Sequence, residues 1–129
     1  DHLTNSIKNT MKALNLSLLD YTTLADNTRS PGRYVFYIEI QEQASLPLKN
    51  KIEQLLDKEL RKSNLAYGRF RSNNRLANLK VIIVKPKTFY KIKEFLQNKG
   101  VSKNQIKVPR VITTNKRIKN IIKNEIINL

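Results

Sequence analysis

Arg33-Tyr34-Val35-Phe36-Tyr37-Ile38-Glu39-Ile40-Gln41 decides the fold class of this chain. Tyr34, Phe36, Ile38 and Ile40 fall on one side of an extended backbone, and Val35, Tyr37, Glu39 and Gln41 fall on the other, the period of two that a strand requires. The first side is apolar and asks for a covered face. The second is mixed and fits a half-covered face, with Glu39 read as a carboxylate turned to solvent. Just upstream, Asp26-Asn27-Thr28-Arg29-Ser30-Pro31-Gly32 is turn chemistry, because Asx and Ser side chains bond their own backbone and Pro-Gly sets dihedrals. Leu16 to Thr23 is extended in character, so the two stretches predict a hairpin.

Helical spacing surrounds this hairpin. Leu3, Ile7, Met11 and Leu14 predict a first helix over about 4–14, with Thr4 or Asn5 as its cap. Ser45 and Pro47 open a second, because a proline in the first turn lacks only an N–H that has no partner there. Its buried stripe is Leu48, Ile52, Leu55, Leu56 and Leu60, while Lys49, Glu53, Asp57 and Lys58 are expected to face water. Leu79 to Lys85 is almost continuously apolar and reads as a third, central strand. Thr88 caps a helix containing Phe89, Ile92, Phe95 and Leu96 that stops at Gly100. Thr113 or Thr114 precedes a last helix with Ile118, Ile121, Ile122 and Ile126 inside. The order is helix-strand-strand-helix-strand-helix-helix. It predicts an α+β domain: a small mixed or antiparallel sheet of about three strands, with helices packed mainly on one face.

A chain of 129 residues is one domain in size, and 40% apolar residues suffice for one core. The sequence predicts neither a membrane span nor a secretory leader, and a cytoplasmic, soluble domain is expected. The formal net charge is +15, and all of the excess is in the second half. Residues 1–60 carry seven basic and eight acidic side chains, whereas residues 61–129 carry eighteen basic ones against Glu94 and Glu125 alone. Such a surface attracts polyanions. It reads either as a solvated basic face or as a nucleic-acid-binding module with Phe70, Phe89 and Tyr90 as stacking platforms. Three scattered glycines, Gly32, Gly68 and Gly100, cannot assemble a phosphate-cradling loop. The single histidine, His2, is expected as an exposed terminal residue, and with no cysteine present neither a catalytic triad nor a metal site is supported.

Four segments in unbroken order carry a resemblance. They are Asp20-Tyr21-Thr22-Thr23-Leu24-Ala25-Asp26; Pro31-Gly32-Arg33-Tyr34-Val35-Phe36-Tyr37-Ile38-Glu39; Asn64 with Tyr67 and Arg71; and the run from Val84-Lys85-Pro86-Lys87-Thr88-Phe89 to Gly100-Val101-Ser102-Lys103-Asn104-Gln105-Ile106-Lys107-Val108-Pro109-Arg110. Over about residues 15 to 115 the chain resembles the C-terminal domain of the auxin-responsive (Gretchen Hagen) acyl-acid amido synthetases, a family of adenylate-forming enzymes. The most specific piece is the pattern ending in Asn-Gln-x-Lys-x-Pro-Arg.

The resemblance implies a ligase part, a single C-terminal cap domain over 1–129 that is inactive alone. A large N-terminal adenylation domain outside this chain is the implied partner; it binds ATP with magnesium and a carboxylic acid, forms an acyl-adenylate and releases pyrophosphate. An amine such as an amino acid then attacks the activated carbonyl. Nothing of ATP or magnesium is expected to bind this domain by itself. By the same resemblance Lys107 is the catalytic residue that reaches the nucleotide phosphate, and Asn104, Gln105 and Arg110 contact that phosphate, shape the loop or meet the partner domain. Surplus lysines such as Lys116, Lys119 and Lys123 are expected on the solvated face of the last helix. A start at Asp1, near the end of the family's hinge, suggests an excised domain. The chain departs from the family at Arg33, usually histidine, at Ile38, usually aromatic, and at Ile106, usually aromatic or histidine. Lys87 stands where glycine is usual, so the backbone there either avoids a positive φ or adopts it at some cost. A non-catalytic interaction domain that keeps the fold is the remaining alternative.

Overall fold

The computed structural model describes residues 2–98, 110 and 116–129. Its elements are α1 (His2–Ala13), β1 (Leu18–Asp26), β2 (Arg33–Ile40), α2 (Leu46–Ser63), α3 (Leu65–Ser72), β3 (Lys80–Ile83), α4 (Thr88–Asn98) and α5 (Lys116–Lys123). This is an α+β fold around a mixed sheet of order β1-β2-β3. β1 and β2 are antiparallel, with Tyr21 opposite Ile38 and Thr23 opposite Phe36. β2 and β3 are parallel, with Val81 opposite Phe36 and Ile83 opposite Ile38.

Alternation along the strands sorts the core into two clusters. Tyr21, Phe36, Ile38, Val81 and Ile83 share one face and pack with Ile7 and Met11 of α1 and Ile52, Leu56 and Leu60 of α2. The opposite face contributes Leu24 and Tyr37 to a smaller cluster with Phe89 and Ile92 of α4 and Ile118 and Ile122 of α5. The larger share of helix therefore lies on one face. Inside α1, Thr4 is no cap; its Oγ1 meets the Tyr21 hydroxyl at 2.7 Å and ties the helix to β1. Asp26 ends β1 and makes the expected Asx turn, accepting from the Thr28 N–H at 3.1 Å.

β3 is an edge strand rather than the central one. Its apolar run reflects cover on both faces and not a central position. Its outer edge is closed in two ways: Val81 N–H donates to Glu53 at 2.8 Å, and Ile127 N–H donates to the Ile83 carbonyl at 3.0 Å. Blocking an edge in this manner prevents strand addition. Ile126, expected inside the last helix, lies beyond it and bridges to Val84. Thr113, Thr114 and Gly100 are outside the described residues.

Two acidic side chains expected at the surface are buried. Glu39 is only 5% exposed. Its two carboxylate oxygens accept from Lys87 N–H (3.1 Å) and Phe89 N–H (3.0 Å), so it caps α4 from the neighbouring strand. The Thr88 hydroxyl instead donates to the Lys85 carbonyl. A carboxylate at a helix start satisfies donors that have no partner within the helix. Asp57 is the second, and Lys49 and Glu53 are half-buried beside it on α2, where they pair at 2.9 Å.

Asp57 is buried because α3, an element absent from the sequence reading, folds over it. Asn64 starts α3 by accepting from Tyr67 N–H at 3.1 Å. Gly68 then allows close approach to α2, since a Cβ there would stand 3.2 Å from the Arg61 carbonyl. The result brings the Tyr67 hydroxyl and the Arg71 guanidinium onto Asp57: Arg71 donates to both oxygens (2.9 and 3.3 Å), Tyr67 donates to Oδ1, and Arg61 adds a third donor at 3.1 Å. Burial alone would raise the Asp57 pKa, but hydrogen bonds from Arg71 and Tyr67 and the charges of Arg71 and Arg61 outweigh it and hold the carboxyl below its usual range. Burial, followed by the bond to Asp57, pushes the Tyr67 phenol up.

Removing one member of such a cluster strands the others. Asp57→Ala should destabilise the domain at pH 7 by about 3 kcal/mol in urea denaturation. The folded carboxyl titrates below its unfolded value of about 3.9, so its contribution is complete above that pH and fades as pH falls through the lowered folded pKa. The stability gap between the natural chain and Asp57→Asn should therefore narrow steadily below about pH 4.

Candidate functional site

Arg110 closes the Asn-Gln-x-Lys-x-Pro-Arg pattern, and it is held on the outer edge of β1. An edge strand presents backbone groups without a strand partner, and here Thr23 N–H donates to the Arg110 carbonyl at 2.7 Å. The side chain is fixed as well. Nη1 donates to the Tyr21 carbonyl at 2.9 Å and to Asp20 Oδ1, and the guanidinium carbon stands 4.6 Å from the centre of the Tyr21 ring. That distance is within cation–π range.

Asp20 organises this corner. It adjoins the register irregularity between Leu18 and Asp20, a type of bulge that re-aims side chains. Its Oδ1 accepts from Tyr21 N–H at 2.9 Å, and Lys93 Nζ of α4 stands 3.9 Å from Oδ2. Arg110 and Lys93 are exposed on their outer sides, so these pairs contribute about 1 kcal/mol or less and act mainly through position.

Next to Asp20, a hollow of about 440 Å³ opens between β1 and the first turn of α4. Leu19 and Tyr90 are exposed at its rim, and Asp20, Glu39, Lys87 and Lys93 supply its charged lining. Among the described residues that line it, the chemistry on offer is charge and shape. Lys87 adopts φ 68°, the left-handed conformation that glycine tolerates best. Lys87 lines the hollow, and its N–H donates to Glu39.

A model of the GH3 family C-terminal domain matches residues 1–116. The chain belongs to the GH3 family. Putative indole-3-acetic acid-amido synthetase GH3.9 of Arabidopsis thaliana is 33% identical over 102 residues, 78% of this chain and 17% of that protein. Indole-3-acetic acid-amido synthetase GH3.5 of Arabidopsis thaliana is 31% identical over 115 residues, 85% of this chain and 19% of that protein. Among solved structures, AtGH3.15 acyl acid amido synthetase in complex with 2,4-DB superposes with a TM-score of 0.79 at 26% identity, over 98% of this chain and 24% of the other. A second GH3.15 acyl acid amido synthetase structure reaches 0.84 at 23% identity over 99% of this chain, a likeness of fold. The chain spans about a fifth of the length of the curated relatives it matches.

For this GH3 domain, the structure brings Arg110 together with Asp20 and Tyr21, two residues of a shared family segment to which no role was assigned from sequence. Asn104, Gln105 and Lys107 lie outside the described residues. Asn64, Tyr67 and Arg71, also of the family pattern, belong to the Asp57 cluster and support the fold. The rings proposed as a stacking platform do not form one: Phe89 is buried, while Phe70 and Tyr90 line separate hollows. Among the described residues, no group of three or more His, Cys, Asp or Glu side chains could hold a metal ion. Lys116 and Lys123 are exposed on α5, as expected, and Lys119 is half-buried.

The left-handed backbone at position 87 has a measurable consequence. Lys87→Gly should raise stability by about 1 kcal/mol in urea denaturation at neutral pH, because glycine removes the Cβ clash. An unchanged or lowered midpoint would mean that the Lys87 side chain offsets that strain through its own contacts.

Proposed function

We propose that this chain is the C-terminal cap domain of an ATP-dependent acyl-acid amido synthetase of the cytoplasm. In the complete enzyme a separate N-terminal domain binds ATP with magnesium and a carboxylic acid. A carboxylate oxygen attacks the α-phosphorus, pyrophosphate leaves, and an amine such as an amino acid then attacks the acyl carbon and displaces AMP. The observation that carries this reading is the family match over residues 1–116, supported by relatives at 31–33% identity whose names are amido synthetases. No helix among the described residues is long and apolar enough to cross a membrane.

The metal and the nucleotide loop are assigned to the partner domain. This chain contributes Lys107. As negative charge develops on the α-phosphate and the leaving pyrophosphate, a lysine brought in by a mobile domain stabilises it where water is excluded. A compact ammonium on a long stem suits that delivery. Arg110 supports the role as a positioning residue. Its carbonyl accepts from Thr23 N–H and its guanidinium donates to the Tyr21 carbonyl, which anchors it on β1. Asn104 and Gln105 are assigned to shaping the same loop or meeting the partner domain.

The test uses the full-length protein. Lys107→Ala should lower carboxylate-dependent ATP–pyrophosphate exchange by about 100-fold or more, while the thermal unfolding midpoint stays within a degree or two. Unchanged exchange would remove Lys107 from the mechanism. Exchange absent from the natural protein across a panel of carboxylic acids would favour the non-catalytic alternative.

A further inference from the structure

The turn between β1 and β2 and the segment leading into β3 meet at one end of the sheet. Ala77 N–H donates to the Gly32 carbonyl at 2.8 Å and draws the two together. Glycine suits position 32 because a Cβ there would stand 2.9 Å from Asn27 Oδ1. Between these segments and α2 lies a hollow of about 360 Å³, lined by Arg29, Arg33, Lys49 and Lys80, with Glu53 as the acidic member of its described lining. Three of the four cations belong to residues 1–60, whose charges nearly balance, so the fold and not the composition concentrates them. Asp26, beside Arg33, is six residues along β1 from Asp20, about 20 Å at strand spacing, so this hollow is remote from the Arg110 corner.

We infer that this hollow is a binding site for a small anion of the phosphate class that carries at least two negative charges, such as a diphosphate group. Charge is the first argument. Both nearby carboxylates are already engaged: Glu53 Oε2 accepts from Lys49 Nζ at 2.9 Å and from Val81 N–H at 2.8 Å, and Asp26 accepts from Thr28 and from Arg33 Nε at 3.2 Å. Four cations against these two leave an excess of two, and like charges gathered in one hollow repel until an anion enters. Preorganisation is the second. Arg33 and Lys49 are 25% and 19% exposed at the side chain and are oriented by their carboxylates, while only Nε of Arg33 is engaged among the described residues, which leaves its two terminal nitrogens as donors. Direction is the third. The cations come from a turn, a strand end, a helix and a second strand, so they converge from several sides. A phosphoryl group offers three acceptor oxygens to such donors, whereas a carboxylate offers two in one plane. The concave form and modest volume suit a small anion. The site does not depend on the amido synthetase reading.

Metal-free pyrophosphate serves as the probe, titrated into the 129-residue chain at an ionic strength of about 0.15 M and followed by NMR at the amides of Arg33, Ala77 and Leu79. Saturable shifts should appear there and not at the Tyr21 amide. Arg29→Gln combined with Lys80→Gln should weaken pyrophosphate by about tenfold. Without ligand, that double variant should melt no lower than the natural chain, since it relieves repulsion. Lys8→Gln combined with Lys12→Gln removes the same charge from exposed positions on α1 and should leave binding within about twofold. Arg33→Lys keeps the charge but loses the planar fork, and should weaken binding by about threefold. Citrate, also multiply charged, should bind more weakly than pyrophosphate by about fivefold or more. The proposal is overturned if pyrophosphate causes no saturable shifts, if the α1 pair weakens it as much as the hollow pair does, or if citrate or Arg33→Lys matches the natural chain with pyrophosphate. A short DNA duplex that shifts the same amides at lower concentration than pyrophosphate would overturn it as well, because the surface would then serve a macromolecule. A fall of several degrees in the melting temperature of the Arg29→Gln, Lys80→Gln variant would do the same, since those side chains would then serve the fold.

Discussion

The carboxylate of Asp57 is the point on which this fold depends. A charge removed from water is tolerated only when paired and fully hydrogen-bonded, and here three side chains converge on two oxygens. Arg61 comes from the next turn of the same helix, whereas Tyr67 and Arg71 come from α3. The cluster therefore dictates where α3 lies, and with it the position of Tyr67 against Tyr34 and of the Arg71 guanidinium against the Leu76 carbonyl. That last bond leads the chain back towards β3. An electrostatic requirement at one residue thus propagates into the placement of a helix, a loop and an edge strand.

Glu39 plays the corresponding part on the other face of the sheet. It sits on the central strand, and through two backbone donors it fixes the first turn of α4. α4 in turn places Lys93 beside Asp20, the residue that also holds Arg110. The corner where the family motif ends is consequently built from one carboxylate in the core and one at the surface. Both act by orienting positive or donor groups, and neither offers a nucleophile. The corner is therefore organised by positioned charge. It also accounts for part of the charge asymmetry: several of the basic side chains of the second half pair with acidic ones of the first, as Arg71 does with Asp57 and Arg110 with Asp20.

Period-two alternation from Arg33 to Gln41 and helical spacing at Leu3, Ile52 and Phe89 were sufficient to establish the α+β class, because burial of an apolar face imposes its period on the chain; among the described elements, α3 alone was missed. Asn64, Tyr67 and Arg71 were singled out by their resemblance to the family pattern. Their role was not legible, since the partner that explains them, Asp57, occupies a helical position that reads as solvent-facing until α3 covers it.

Tertiary contact alone decided which polar groups are inside. Glu39 alternates onto the less apolar face of its strand, and only the approach of α4 turns that face into a helix-capping site. Thr23 looks like any strand threonine, and only the folded chain buries its hydroxyl. The apolar run at Leu79 to Lys85 reports that both faces are covered, yet says nothing about whether a further strand lies alongside. Local periodicity carries information about burial of side chains. Pairing of backbone edges and compensation of buried charge depend on groups distant in sequence, and those were settled only when the chain had folded.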